Sequence, residues 1–300
     1  MTGLLSLTRR NIKIYFKDKG MFFTSLITPI ILLVLYATFL KKVYDDSFTN
    51  ALTEAGAVVP DALINGCVGG QLISSLLAVS CVTVAFCSNL LMVQDRYTGV
   101  RNDITITPVK SRTVALSYFI GSLISTFLVC LVACGAGFIY LSTIGWYLTF
   151  ADVMYVLLDV FLLTLFGTAL SSVVNCFLST PGQGSAVGTI VSAGYGFICG
   201  AYMPISNFSE GLRNVLAFLP GTYGTSLLRN HMMRGTFEEM EAQNFPSEVV
   251  EMIKTSVDCN LKFFDENVTV GNMYAVLIMS VVVLTLLYVI TNALIKKNAK

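Results

Sequence analysis

Six stretches of this chain, residues 21–40, 66–93, 114–141, 153–178, 184–203 and 273–295, are each long and apolar enough to cross a bilayer. A crossing takes roughly 20 apolar residues to span about 30 Å of hydrocarbon. Inside hydrocarbon every backbone amide and carbonyl needs an internal partner, so only helices and closed barrels span. Barrel strands are about 10 residues long and alternate in polarity. These stretches are longer and apolar on all sides. The sequence therefore predicts an all-α membrane protein, one domain over residues 1–300, with six transmembrane helices. Composition agrees: 12% of the residues are charged, against about 25% in soluble domains, and residues 160–209 contain no Asp, Glu, Lys or Arg.

Lys and Arg in the connections set the orientation, because positive flanks stay on the cytoplasmic side. With the N-terminus inside, the inner segments hold twelve of these residues and the outer segments seven, five of them spread over the long last loop. Acids crowd the first outer loop, 41–65, as Asp45, Asp46, Glu54 and Asp61. Both termini are predicted to be cytoplasmic, in a multi-pass protein of the plasma membrane. The first apolar run is too long for a removable signal and reads as a retained anchor. The net charge of +1 gives no reason to expect nucleic acid as a partner. Seven of the eight cysteines fall in apolar stretches and only Cys259 in an outer loop. They read as small packing residues rather than a disulfide framework.

Residues 3–19 place Leu5, Thr8, Ile12, Tyr15 and Phe16 on one helical face and Arg9, Arg10, Lys13 and Lys17 on another. That pattern predicts an amphipathic helix in the membrane interface, its basic face toward anionic lipid headgroups or a partner; a plain positive flank is the alternative. The outer loop 204–272 divides in two. Its first part stays apolar, with Leu212, Val215, Leu216 and Leu219 at helical spacing between Pro204 and Pro220, and is predicted to lie at or dip into the outer membrane face. Its acidic second part, 237–266, reads as a small solvated element. A helix starts there at Pro246 and buries Val249, Val250, Ile253 and Val257. In the fifth stretch Gly184 and Gly188, then Gly196 and Gly200, are spaced by four. Small residues at that spacing let helices approach closely, within the chain, across a dimer contact, or along a translocation path.

The chemistry-bearing residues are few. The phosphate-cradling pattern GxxxxGK[ST] is absent, and Gly182-Gln183-Gly184 lacks its lysine. No metal cluster stands out, and His231 is the single histidine. Catalysis by this chain is not predicted, nor is a cofactor on it. Asp159 lies inside the fourth stretch with Asp152 seven residues before it on the same face. An acid at membrane depth costs a few kcal/mol and is a functional candidate by default; pairing with a neighbouring helix is the structural alternative.

The connection 94–112, QDRYTGVRNDITITPVKSR, carries Asp95, Arg96, Arg101, Asp103, Lys110 and Arg112, whereas the next connection, 142–151, carries no charge. It resembles the cytoplasmic signature of type-2 ATP-binding-cassette (ABC) exporter permeases. There an acid-Arg-acid-x-Gly-Thr run precedes a Thr-Pro-Val-x-Arg run. Asp95, Arg96 and Gly99 match the first run; Thr107, Pro108 and Val109 match the second, with Arg112 to close it one residue later than the pattern. Tyr97 stands where a second acid is usual and Val100 where Thr is usual. Pro204 and Pro220-Gly221-Thr222-Tyr223 also match the family's outer segment, with Ser209 where a second proline is frequent.

The resemblance implies six spans, an interfacial N-terminal helix and a re-entrant helical segment between spans five and six. It implies a separate ATPase chain that holds the ATP and Mg, pressed by a coupling surface of Arg9, Arg10, Lys13, Asp95, Arg96, Gly99, Thr107, Pro108, Lys110 and Arg112. It also implies a second permease, identical or similar, facing this one. The branch it points to exports drugs, antimicrobial peptides or lipids. A polysaccharide or teichoic-acid exporter is the alternative within the class. An ion-coupled carrier or channel, or a non-transporting sensor or immunity protein, are the alternatives outside it.

Overall fold

The computed structural model describes residues 2–42, 60–264 and 266–298. Where helices face lipid they form from end to end, because hydrocarbon gives a frayed backbone no partner. The helices are α1 (Thr2–Lys17), α2 (Lys19–Leu35, extended by a π-turn over Tyr36–Leu40), α3 (Asp61–Tyr97), α4 (Val100–Ile106), α5 (Ser111–Ile144), α6 (Phe150–Cys176), α7 (Pro181–Ile198), α8 (Glu210–Leu216), α9 (Pro220–Ala242), α10 (Ser247–Ser256) and α11 (Val270–Asn298). A two-residue antiparallel ribbon, β1 (Lys262–Phe263) and β2 (Glu266–Asn267), pairs Lys262 with Asn267 and Phe263 with Glu266.

Helix α3 is the axis. From Gly66 to Val93 only Cys87 and Leu90 are less than fully buried. Small residues make this possible: a Cβ on Gly167 of α6 would come within 2.7 Å of the Cys81 carbonyl oxygen, so the two backbones touch, as small-residue interfaces allow in membranes. Polar side chains join the packed helices. Ser88 of α3 meets Ser122 (2.6 Å) and Thr126 (3.0 Å) of α5. Asn89 donates to Ser171 and Ser172 of α6. Such bonds contribute about 0.6 kcal/mol each on average in membrane proteins.

Four of the expected spans, 66–93, 114–141, 153–178 and 273–295, correspond to α3, α5, α6 and α11, each long and apolar enough to cross a membrane. Among the described residues no other single helix is. The first expected span, 21–40, lies within α2 and its π-turn; α2 meets α1 at 71°, and the two reach the length and apolarity of a span only together. Asp18 makes the corner, its Oδ1 accepting the Met21 amide at 3.1 Å to cap α2. The expected span 184–203 is also altered. Helix α7 starts at a capping box of Thr180 and Gln183 and stops at Ile198, before a turn through Gly200 at φ +75°. Its Gly, Ser, Thr and Tyr content leaves it too polar to qualify as a lone span. Residues 43–59 of the first outer loop lie outside the described residues, and 61–65 are the first turns of α3.

The outer segment is more buried than its composition implies. Between the expected prolines a 3-10 turn (Ile205–Asn207) and the short α8 form, whereas α9 runs unbroken from Pro220 to Ala242 into the part read as solvated. From Gly221 to Met233 only Asn230 is less than fully buried. Helix α9 packs against α3, α6 and α11. Gly224 faces Leu163 of α6, and Gly235 faces the Tyr147 carbonyl, with no room for a side chain at either. Helix α10 buries Val249, Val250, Ile253 and, just past its end, Val257, as its spacing predicts.

Candidate functional site

Helix α1, the 94–112 hairpin, the α6–α7 connection and the last turns of α11 share one end of the bundle, called the lower end here. Residue Gly99 shows why the hairpin motif needs a glycine. Helix α3 ends at Tyr97, Gly99 turns the chain at φ +84°, and α4 begins at once. Nothing lies near the space a Cβ would occupy, so the requirement is backbone conformation rather than crowding. Thr107 is extended ahead of Pro108, the geometry a following proline imposes, and α5 starts at Ser111.

The hairpin is fastened at two points. Asp95, 4% exposed, accepts two hydrogen bonds from the Arg10 guanidinium, 2.6 Å to Oδ2 and 3.0 Å to Oδ1, and a third from the Tyr118 hydroxyl at 2.6 Å. One carboxylate thus ties α1, α3 and α5. Hydrogen bonding to Asp95 holds the Arg10 guanidinium above its ordinary pKa. Arg96 points the other way: its Nη1 donates to the carbonyls of Cys176 (2.9 Å) and Leu178 (2.6 Å) at the C-terminus of α6. These carbonyls have no partner within their helix, and a cation satisfies them along the helix dipole.

The expected coupling residues therefore fall into two groups. Arg10, Asp95 and Arg96 are occupied within the chain. Arg9, Lys13, Thr107, Pro108, Lys110 and Arg112 are exposed. Between them Tyr97 is 63% and Ile106 84% exposed. In the sequence Tyr97 is only a departure from the motif, and Ile106 looks like an ordinary hydrophobic residue beside a membrane. Ile104 and Val109 pack into a lower core of Leu91, Met92, Val114, Tyr118 and Tyr288.

A second constellation occupies the upper end. Asp159, fully buried in α6, accepts from the Tyr274 hydroxyl of α11 at 2.6 Å and meets His231 Nδ1 of α9 at 2.6 Å. Tyr155 stacks on the His231 ring with centroids 5.0 Å apart. One helical turn further along α9, Arg234 pairs with Asp152 at 2.6 Å, while Asp152 also forms a capping box with Thr149 at the start of α6. The two acids thus face His231 and Arg234 as two rungs that dock α9 on α6. Replacing Asp159 with alanine strands the Tyr274 hydroxyl and His231 nitrogen. We expect a loss of about 2–4 kcal/mol, one or two buried polar groups being left without partners, read as a lower unfolding midpoint in detergent. Asp159→Asn, which keeps an acceptor, should lose less.

Among the described residues Arg229 is the most buried Lys or Arg. Its side chain is 1% exposed, pairs with Asp258 at 2.9 Å and donates to the Gly200 carbonyl at 2.5 Å. Asp258 in turn accepts the amides of Ile205 and Ser206. Sequence reading treated Arg229 as one basic residue of a long loop.

The four glycines part company. Gly184 packs against Leu90 of α3, and Gly196 against the Tyr202 ring. Gly200 is the turn whose carbonyl Arg229 takes. Only Gly188 faces open space, beside exposed Ser185, Ala186 and Thr189.

Comparison with curated proteins finds no match. The family model of the ABC-2 type transporter matches residues 2–233, more than three quarters of the chain, and the protein therefore belongs to that family as the multi-pass membrane component, the permease, of an ABC transporter.

Proposed function

We propose that this permease is the membrane subunit of an ATP-driven exporter, paired with a second copy and served by two separate ATPase chains that hold the ATP and Mg. The lower end faces the cytoplasm, with both termini. The chain crosses six times, through α2, α3, α5, α6, α7 with its following turn, and α11. Helix α1 lies in the interface, and α8 and α9 form a re-entrant segment. The observation that carries this reading is the double fastening of the hairpin. Its exposed face offers Ile106, Lys110 and Arg112, while Asp95 and Arg96 anchor its root to α1, α5 and α6. Force applied to the exposed face is delivered to four helices at once.

The substrate class is amphipathic or lipid-like: a drug, an antimicrobial peptide or a lipid. Asp152, Asp159 and Arg229 each have partners within the chain, which leaves none of them as an ion-relay group and disfavours a carrier or channel. The small, open face of α7 around Gly188 supports contact with a second permease or the translocation path.

The test is co-purification of the tagged permease with candidate ATPases. Combined charge reversal of Lys110 and Arg112 with Ile106→Asp should reduce capture on the order of a hundredfold, as expected when two or three exposed contacts of 1–2 kcal/mol each are lost. Capture and ATP turnover at wild-type levels in that variant would refute docking through the hairpin. Reversal at Arg96 tests the fold instead, since that side chain is spent on α6.

A further inference from the structure

We propose that the cleft between α2 and α5 holds one acyl chain of an anionic phospholipid, its phosphate seated on Lys41. Helices α2 and α5 both pack on α3 but diverge from each other, leaving a cleft of about 840 Å³. Two features keep it open. Pro29 and the Tyr36–Leu40 π-turn interrupt the regular ridge of α2. On the opposite wall Ala133, Ala136 and Gly137 are too small to fill the gap.

The walls are otherwise mainly Leu, Ile, Val and Phe, with Ser80, Tyr36 and Tyr140 the polar side chains among them, and Lys41 at the upper mouth is the one charged residue among the described lining residues. No described carboxylate pairs with Lys41. An ammonium without a carboxylate partner among the described residues, at the rim of an apolar slot within a membrane, complements a phosphate attached to a hydrocarbon chain. The length also agrees. Lys41 to Pro29 is about 18 Å of helix at 1.5 Å per residue, close to one leaflet of a hydrocarbon core about 30 Å thick.

The test uses the full-length permease purified from membranes into nanodiscs of equimolar phosphatidylglycerol and phosphatidylcholine, with retained lipid counted by native mass spectrometry after release into detergent. Phosphatidylglycerol should be retained about fivefold over phosphatidylcholine, as expected from ~1 kcal/mol per basic residue near an anionic lipid. Lys41→Glu should abolish that preference. Ala136→Trp, which fills the cleft from an exposed position, should remove both lipids without lowering the unfolding midpoint. Equal retention of the two lipids by the wild type, or retention untouched by Ala136→Trp, would overturn the proposal and leave only bulk boundary lipid. Loss of dimer mass rather than lipid in Ala136→Trp would also overturn it, in favour of a second copy as the occupant. Should Ala136→Trp fail to fold, the Lys41→Glu preference decides alone.

Discussion

Arg229→Ala should cost about 3–5 kcal/mol, the usual penalty when one partner of a buried ion pair is removed and the other remains charged. The side chain joins pieces distant in sequence: Ser75 of α3, the Gly200 carbonyl after α7, and Asp258 after α10. Asp258 then holds the amides of Ile205 and Ser206. Losing the guanidinium strands the Asp258 carboxylate among these groups. Hydrogen exchange should rise first over residues 198–209 and 257–261, and the unfolding midpoint should fall. The double variant Arg229→Ala/Asp258→Ala should cost clearly less than the two single changes together, since no lone charge is left. A wild-type midpoint in Arg229→Ala would mean that desolvation of the pair already cancels its attraction.

Asp95→Ala should uncouple the transporter rather than dismantle it. The carboxylate accepts three hydrogen bonds, two of them from Arg10. Charge-assisted bonds of this type are worth about 1.5–3 kcal/mol each. Arg10 is partly exposed and regains water when released, so the net local cost is expected to be about 2–3 kcal/mol, by the same reasoning that makes exposed pairs weak. The exposed residues proposed to dock the ATPase are untouched, so ATPase capture should persist. Transport per ATP hydrolysed in proteoliposomes should fall by roughly tenfold, the equivalent of ~1.4 kcal/mol of lost coupling. Arg10→Ala should reproduce the defect, and Tyr118→Phe should show a smaller one. If transport and turnover fall in strict proportion, Asp95 serves docking or folding and not coupling.

The positions of α3, α5, α6 and α11 follow from the sequence because hydrophobic length is a local property. Each needs only enough apolar residues to cover a bilayer, and neighbours do not alter that sum. The hairpin at 94–112 is legible for the same reason: charge, Gly99 and Pro108 act on the chain next to them. The buried face of α10 is read correctly from the spacing of Val249, Val250 and Ile253. Helix α9 is not legible. Its charges, among them Arg229 and Arg234, look like scattered basic residues of a long outer loop, and their partners Asp258 and Asp152 are far along the chain. The same holds for α7, where glycines that suggest one packing stripe turn out to meet α3, a tyrosine ring, a turn and open space.

By itself the sequence determines that lipid is the solvent, where α3, α5, α6 and α11 lie, and where a charged hairpin interrupts them. These depend on composition and on residues within a turn or two of each other. Only the tertiary structure decides what the charges do. It assigns Asp95 and Arg96 to fastening the hairpin, leaves Lys110, Arg112 and Ile106 free at its surface, and gives Asp159, Asp152 and Asp258 their cationic or aromatic partners. Electrostatic pairing in a membrane protein is set by which helix ends and side chains meet across space, and a linear sequence does not carry that distance.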